Sequence, residues 1–365
     1  MTELVEDVLP WFVALYIFDA VIQLRRGQVV LTRLWPFEFQ LRGPGLQIAG
    51  LMPWSIGLIA HDLPVLPTTD GVWVFDPQAR NAPAVVRSTS ISLVPWHLLA
   101  DLRADGSVVK GAQRVLFRAC TPRATRALAS DLVRVRESGR ERVEIELEHV
   151  LTRGFDLSAV RSVWNRVRLP ILLASCFGSV EAFILFGVIP VVTFTSWSAN
   201  AAWGTVLLAL AAAHLGVVLS SVWAMVRKGA GFGEAVHAIA PLVVFPPFAV
   251  RAGSHLARDA FVQFEPMALG AALLPTTAFL RLARREWVRI AESQSATDSL
   301  GLAAYWGARR RAVEGLLSAA GTSVRAVLLP PPLEDGTAAW CPLCTCEYRP
   351  GFARCADCDL ALVPR

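Results

Sequence analysis

Apolar residues are concentrated in one long part of the 365-residue chain. Residues 169–283 are almost continuously apolar, whereas residues 25–168 and 284–365 are much richer in charged and polar side chains. Crossing the hydrocarbon core of a bilayer takes about 20 apolar residues, so this pattern predicts an integral membrane protein. We divide the chain into a first transmembrane span at 8–24, a cytosolic domain at 25–168, a membrane domain at 169–283, a helix and Pro-rich linker at 284–335, and a C-terminal module at 336–365.

The membrane domain contains four apolar runs. Pro170–Phe194 and Ala201–Val226 are long and are joined by a short uncharged hairpin, which predicts two antiparallel spans. Ala235–Val250 and Met267–Leu282 are shorter and are interrupted by prolines, which spans tolerate where neighbours satisfy the freed carbonyls. We predict about four spans here. A re-entrant or interfacial hairpin is the alternative for the second pair, and a helix lying in the interface is the alternative for 8–24.

Residues 25–168 show strand patterns first and helix patterns afterwards. Asp105-Gly106 is a strong hairpin-turn signal, and Pro122 opens a predicted helix that runs to about Arg136. A second helix is predicted at about Glu141–Arg153, and another leads from Asp156 towards the membrane. A further helix is predicted in the tail at Leu302–Ser318, either on the membrane surface or packed on the soluble domain. Strands before helices indicate an α+β domain. The other predicted strands are Gln28–Leu34, Phe37–Leu41, Gly71–Phe75 and Ala84–Val94.

Arginines lie at the ends of the predicted spans and define a topology. The chain carries a formal net charge of +5, and only 18% of its residues are charged. Cytoplasmic loops carry an excess of Lys and Arg, which predicts an outer N-terminus and places both 25–168 and the C-terminus in the cytosol. The Arg- and Ala-rich composition is typical of a GC-rich bacterial genome, and we predict a location in the bacterial inner membrane. Topology accounts for the basic excess, which argues against a nucleic-acid partner.

Four of the seven cysteines form a metal-binding pattern. Cys341 and Cys344, then Cys355 and Cys358, make two Cys-x-x-Cys pairs with ten residues between them. Two such pairs can complete a tetrahedral site of four thiolates, and metal binding supplies the folding energy of a segment this small. A dithiol redox pair, or iron in place of zinc, is an alternative. Cys346 is predicted to remain free, and the pattern implies a reducing compartment.

The same segment resembles a known group of small modules. It is similar to the short zinc ribbons at the ends of many bacterial proteins, with a first Cys-Pro-x-Cys, a Gly turn, and a Cys-x-Asp-Cys. Cys346 and Asp359 stand where small residues or Gly are commoner in that pattern. The resemblance covers about 25 residues and implies bound zinc and a protein contact, not a catalyst. The matching positions are Cys341, Pro342, Cys344, Glu347, Tyr348, Gly351, Cys355, Asp357, Cys358, Leu360 and Val363.

Glu181 and His214 are ionisable residues inside the first pair of long apolar runs. Each lies about 16 residues from the centre of the hairpin between those runs, so antiparallel helices would place them at similar depth. Such residues are costly to bury and are therefore candidates for function. The pair could relay protons or hold a cation. A structural hydrogen bond between helices is the alternative.

The sequence carries no complete catalytic motif. Glu234 and His237 form Glu-x-x-His, but no partner motif accompanies them, and we interpret them as a surface pair. The favoured function is a non-catalytic regulator or scaffold that contacts other proteins through its cytosolic modules. One alternative is a small transporter or channel that uses Glu181 and His214. The other is a membrane-embedded enzyme. The fold class predicted is a multi-pass α-helical membrane protein with an inserted α+β cytosolic domain and a C-terminal zinc ribbon.

Overall fold

The computed structural model describes most of the chain from residue 91 onwards and parts of the chain before it. The first predicted span, 8–24, therefore lies outside the described residues apart from positions 11 and 14. The described residues are 11, 14, 29–34, 39–42, 55–60, 65–75, 91–106, 108–118, 122–138, 142–194, 200–244, 246–261, 263–330 and 333–365.

The chain folds as two compact units that interleave in sequence. Unit 1 is formed by Met1–Arg26, Val30–Ile59 and Arg161–Phe261. Unit 2 is formed by Gly27–Val29, Ala60–Val160 and Val262–Arg365. The predicted cytosolic domain at 25–168 is thus divided between the units, and its larger part shares unit 2 with the C-terminal tail.

Unit 1 is mainly helical. Its small sheet has the order β2-β1-β3, with β1 at Val29–Leu34, β2 at Phe39–Arg42 and β3 at Ser55–Ala60. The long helix α3, Leu157–Phe183, continues through a π-helical turn at Ile184–Val188 into α4, Ile189–Phe194. Proline has no N–H to offer the preceding turn, so Pro190 accounts for the widened turn. The remaining helices are α5 at Asn200–Lys228, α6 at Phe232–Val244, α7 at Pro246–Ala249 and α8 at Ala252–Phe261.

By length and composition, two helical stretches among the described residues could cross a membrane. They are Val143–Val192 and Trp203–Lys228, each with a mean hydropathy of 2.1 in its most apolar window. They cover the first pair of predicted spans. The sidedness of the topology stays a prediction.

The second pair of predicted spans does not form two continuous helices. The run 235–250 is divided between α6, which has 13 residues, and the one-turn α7 that begins at Pro246. The run 267–282 is divided at Pro275 between α9, Pro266–Leu273, and α10, Thr276–Ser295. At about 1.5 Å per residue, α6 is too short to span a hydrocarbon core of about 30 Å. Pro246 and Pro275 follow the ends of α6 and α9, because a proline disfavours helical geometry in the residue before it.

Unit 2 combines small antiparallel sheets with helices. The first sheet has the order β4-β5-β6 (Val65–Pro67, Gly71–Phe75, Ile91–Pro95), and the second is β7-β8-β9 (Arg103–Asp105, Val108–Gly111, Arg114–Arg118). The helices are α1 at Pro122–Glu137, α2 at Val143–Arg153, α9 at Pro266–Leu273, α10 at Thr276–Ser295, α11 at Leu300–Ala319 and α12 at Val324–Leu328. A third sheet, β11-β10-β12, holds the tail together at Glu347–Tyr348, Ala339–Trp340 and Val363–Pro364.

One apolar core joins the first two sheets to α1. It includes Val72 of β5, Val109 of β8 and Leu132 of α1, all of which are fully buried. The predicted hairpin at Asp105-Gly106 is confirmed, since β7 pairs with β8 and Gly106 has a φ of 57°. The tail helix α11 contacts α2, α10 and β4, so it packs on other elements of unit 2.

Candidate functional site

The four predicted cysteines lie in two knuckles of matching backbone geometry. In the first, the amide of Thr345 donates to the carbonyl of Cys341 at 2.9 Å. In the second, the amide of Asp359 donates to the carbonyl of Cys355, also at 2.9 Å. Thr345 and Asp359 both have positive φ, at 61° and 53°. Each knuckle therefore closes on a left-handed residue, which explains why Gly is favoured at the position of Asp359.

The knuckles bring four sulfur atoms together. The ligand atoms of Cys341, Cys344, Cys355 and Cys358 all lie within 4.8 Å of one another, and the sulfurs of Cys344 and Cys355 are 3.6 Å apart. Metal–sulfur bonds of roughly 2.3 Å in a tetrahedron place sulfurs about 3.5–4 Å apart. The donor set therefore fits a metal ion held by four thiolates. Cys346 is exposed and lies outside the cluster.

Cys355 has hydrogen-bond donors around its sulfur. The hydroxyl of Tyr348 lies 3.2 Å away and the amide of Cys358 lies 3.4 Å away, and both donate to the sulfur. Burial acts to raise the pKa of Cys355, but these donors outweigh it and lower the pKa to about 7. Burial raises the pKa of Cys341 to about 11. A bound cation would favour the thiolate form at every position.

The cysteine cluster packs against helix α10. Val288 of α10 belongs to the same buried cluster as Cys341, Leu343, Cys355 and Leu360. Alongside it, the guanidinium of Arg284 lies 5.0 Å from the ring centroid of Trp340, at the start of the module. The Nε of Arg284 also donates to the carbonyl of Val327 in α12 at 2.8 Å. The module is therefore docked on the helical part of unit 2.

Glu181 and His214 contact each other. The Nδ1 of His214 in α5 lies 3.1 Å from Oε1 of Glu181 in α3. Glu181 is fully buried, and the side chain of His214 is 21% exposed. The second carboxyl oxygen, Oε2, is buried and has no hydrogen-bond partner among the described residues. The proximity expected from their spacing is thus present, whereas a functional role for the pair stays a prediction.

Glu234 and His237 lie on α6 and have different surroundings. Glu234 accepts a hydrogen bond from the Nζ of Lys228 at 2.8 Å, and Lys228 also bonds to Asp259. His237 lies on the exposed face of α6, along an open groove. Neither residue belongs to a group of three or more potential ligands within the described part of the chain. This agrees with their interpretation as a surface pair.

Sequence reasoning missed a buried charge cluster in unit 2. Arg309 is 1% exposed, and its Nε donates to Glu286 at 2.7 Å while its terminal nitrogens face the carboxylate of Glu265. Arg289 forms a second ion pair with Glu286. The sequence shows Arg309 within a run of three arginines, which is typical of a solvated face. Helical spacing from Trp306 and Val313 is the local signal that could have identified it as buried.

No protein-family model matches the chain, and no curated protein or solved structure matches it either. The structure supports a mostly helical protein with two candidate membrane-crossing helices, small sheets and a C-terminal cluster of four cysteines.

Proposed function

We propose that this chain is a multi-pass protein of a bacterial inner membrane whose C-terminal module is a structural zinc ribbon, and that it acts as a non-catalytic regulator or scaffold. The soluble elements and the C-terminus face the cytosol in this proposal. The observation that carries it is the convergence of four cysteine sulfurs in a module that packs on α10. A closed set of four protein ligands leaves no open position for a substrate, which is the arrangement of a structural zinc site.

Zinc is the favoured metal because four thiolates in a tetrahedral arrangement suit it and it has no redox chemistry of its own. Iron also binds four thiolates, so metal analysis must identify the element. The full chain, purified under reducing conditions, is expected to hold one zinc ion. Cys355→Ser should lose it and Cys346→Ser should keep it. A metal-free wild-type chain, or iron in its place, would refute the assignment.

The ribbon also offers an exposed surface for protein contact. Phe352 is 61% exposed and lies beside Tyr348, with a distance of 5.6 Å between ring centroids. Exposed aromatic residues are common at protein interfaces. A photo-crosslinking amino acid at position 352, in living cells, is expected to form protein adducts that disappear when Cys355→Ser is added. Adducts that are absent, or that persist in the Ser variant, would contradict a folded ribbon acting as the contact module.

Topology has its own test. Single cysteines introduced on the exposed surface of α1 and of α11 should both be protected from an impermeant thiol reagent in intact cells, because both elements belong to unit 2. They should be labelled after the membrane is permeabilised. Labelling of either position in intact cells would reject the cytosolic placement.

A transporter or channel is the second candidate function, and the contact between Glu181 and His214 favours it. Polar residues that pair inside membrane helices often mark ion pathways. The two candidates separate in one comparison. Loss of ion flux in reconstituted vesicles on Glu181→Gln, with ribbon crosslinks unchanged, would favour transport over scaffolding.

A further inference from the structure

In the contact between Glu181 and His214, one of the two carboxyl oxygens has a hydrogen-bond partner among the described residues and the other has none. Oε1 lies 3.1 Å from Nδ1 of His214, whereas Oε2 is buried without a hydrogen-bond partner among the described residues. An ionised carboxylate has two oxygens that both need donors, and leaving one of them unpaired in an apolar interior is very costly. A protonated carboxyl group is less costly to bury here, because its O–H can donate to the imidazole and only a neutral carbonyl oxygen is left without a donor.

The surroundings of the pair are apolar and closely packed. Ala182 of α3 and Leu185 of the π-helical turn are buried in one cluster with Trp203 of α5 and Val250. Gly216 of α5 lies against the ring of Phe177 of α3, so the two helices approach closely beside the pair. In such surroundings a carboxylate oxygen without a hydrogen-bond donor is costly to bury.

Two ligands are too few to hold a metal ion here. The described residues include one group of three or more potential ligand side chains, the cysteine cluster, and it contains neither Glu181 nor His214. The segment packed against α3, which includes Val250 and Gly253, carries the ionisable residues Arg251, His255, Arg258 and Asp259. His255 has its ring nitrogen 3.0 Å from the guanidinium of Arg258. A proton is the ligand that a single carboxyl and a single imidazole can share.

We propose that Glu181 and His214 form a proton-binding site within the helix pair, with Glu181 holding the proton and His214 exchanging it. This inference is independent of the zinc ribbon. In the resting state the O–H at Oε1 of Glu181 donates to Nδ1 of a neutral His214, whose own proton is on Nε2. The side chain of His214 is 21% exposed, whereas that of Glu181 is fully buried, so the imidazole is the group of the pair with exposed surface.

Exchange proceeds through the imidazole in balanced steps. The O–H bond of Glu181 breaks as a proton transfers to Nδ1, which leaves a carboxylate paired with an imidazolium. Nε2 then releases its proton to water, which is the external acceptor. Uptake reverses the order, because water protonates Nε2 and Nδ1 returns its proton to Oε1. A positioned acid–base group of this kind accelerates proton transfer by roughly 10²- to 10⁴-fold.

Isotope-edited infrared spectroscopy of the full chain in lipid nanodiscs tests the proposal. With glutamate labelled at its carboxyl carbon, a carbonyl stretching band of protonated glutamic acid is expected at neutral pH. The band should disappear in Glu181→Gln and remain in Glu234→Gln, a matched control whose carboxylate is bonded to Lys228. Absence of the band from the wild-type chain, or its survival in Glu181→Gln, would overturn the proposal.

The role of His214 is tested by isotope exchange of the same band. After transfer to heavy water, the wild-type band should shift as the acid proton is replaced by deuterium. In His214→Gln the band should persist, and its exchange should slow by roughly 10²-fold or more. Equal exchange rates would show that the imidazole takes no part and that the contact is a structural hydrogen bond.

Discussion

The hydroxyl of Tyr348 donates a hydrogen bond to the sulfur of Cys355 across 3.2 Å. The same hydroxyl accepts a hydrogen bond from the amide of Ala356 at 3.0 Å, so its orientation is fixed from both sides. The bond to the sulfur raises the pKa of Tyr348 to about 12, which keeps the phenol protonated as a donor. Tyr348 therefore orients a predicted ligand from outside the group of four cysteines.

Tyr348→Phe is expected to weaken metal binding without preventing it. Loss of a partner that orients a metal ligand typically costs about 10- to 100-fold in affinity. Competition between the full chain and a chromogenic chelator would measure the change. Arg349→Gln, at the neighbouring exposed position, should leave the affinity unchanged, and equal affinities for the wild type and Tyr348→Phe would show that the hydroxyl has no such role.

Removing the metal should loosen α10 as well as the ribbon, because Val288 packs directly against the cysteine cluster. Hydrogen exchange of the full chain, followed by mass spectrometry, should show faster exchange in both segments after chelation. Val288→Ala should produce part of the same effect and lower the unfolding free energy by about 2 kcal/mol. Leu328→Ala, at an exposed position, should change it by no more than about 0.5 kcal/mol. Unchanged exchange in α10 would contradict the coupling.

The features predicted from the sequence are those set by local spacing. Each Cys-x-x-Cys pair forms a knuckle because of its own spacing, independently of the surrounding structure. The four sulfurs converge as the sequence predicts. Glu181 and His214 were placed together by their equal distance from one hairpin, and they are in contact. The Asp105-Gly106 turn is likewise local.

Some features that the sequence pattern does not predict are local, and others depend on distant parts of the chain. The division of the runs 235–250 and 267–282 is local, because Pro246 and Pro275 separate the helices there, and the re-entrant or interfacial hairpin stays the alternative for this pair. The strands at Ser55–Ala60 and Val65–Pro67 were not predicted, because short strands are set by their partners more than by their own residues. The burial of Arg309 depends on carboxylates 23 and 44 residues away.

Gly216 is expected to control the spacing of α3 and α5. A Cβ atom at this position would lie 2.7 Å from the ring of Phe177, closer than van der Waals contact allows. Overpacking costs about 1–3 kcal/mol, which exceeds the gain of about 0.5–1 kcal/mol from replacing Gly by Ala in a helix. Gly216→Ala should therefore lower stability, measured by thermal unfolding in nanodiscs. Gly204→Ala is the control, since nothing lies within 4 Å of its Cβ position in the same helix, and it should be neutral or stabilising. The opposite ranking would reject the close approach.

Arg309 should contribute far more to stability than the arginines beside it. Its guanidinium is buried between Glu286 and Glu265, and it also lies 5.4 Å from the ring centroid of Phe155. Arg309→Ala leaves Glu265 without its cation and leaves Glu286 paired with Arg289 alone, and breaking a buried ion pair in this way costs about 3–5 kcal/mol. Arg311→Ala removes an exposed arginine from the same helix and should cost no more than about 0.5 kcal/mol. Chemical denaturation of both variants in the same detergent provides the comparison. Glu265→Gln should recover part of the loss when combined with Arg309→Ala, because it removes the carboxylate charge that Arg309 had paired. Additive effects of the two substitutions would show that the residues do not interact, and equal costs for Arg309→Ala and Arg311→Ala would show that Arg309 is not buried among carboxylates.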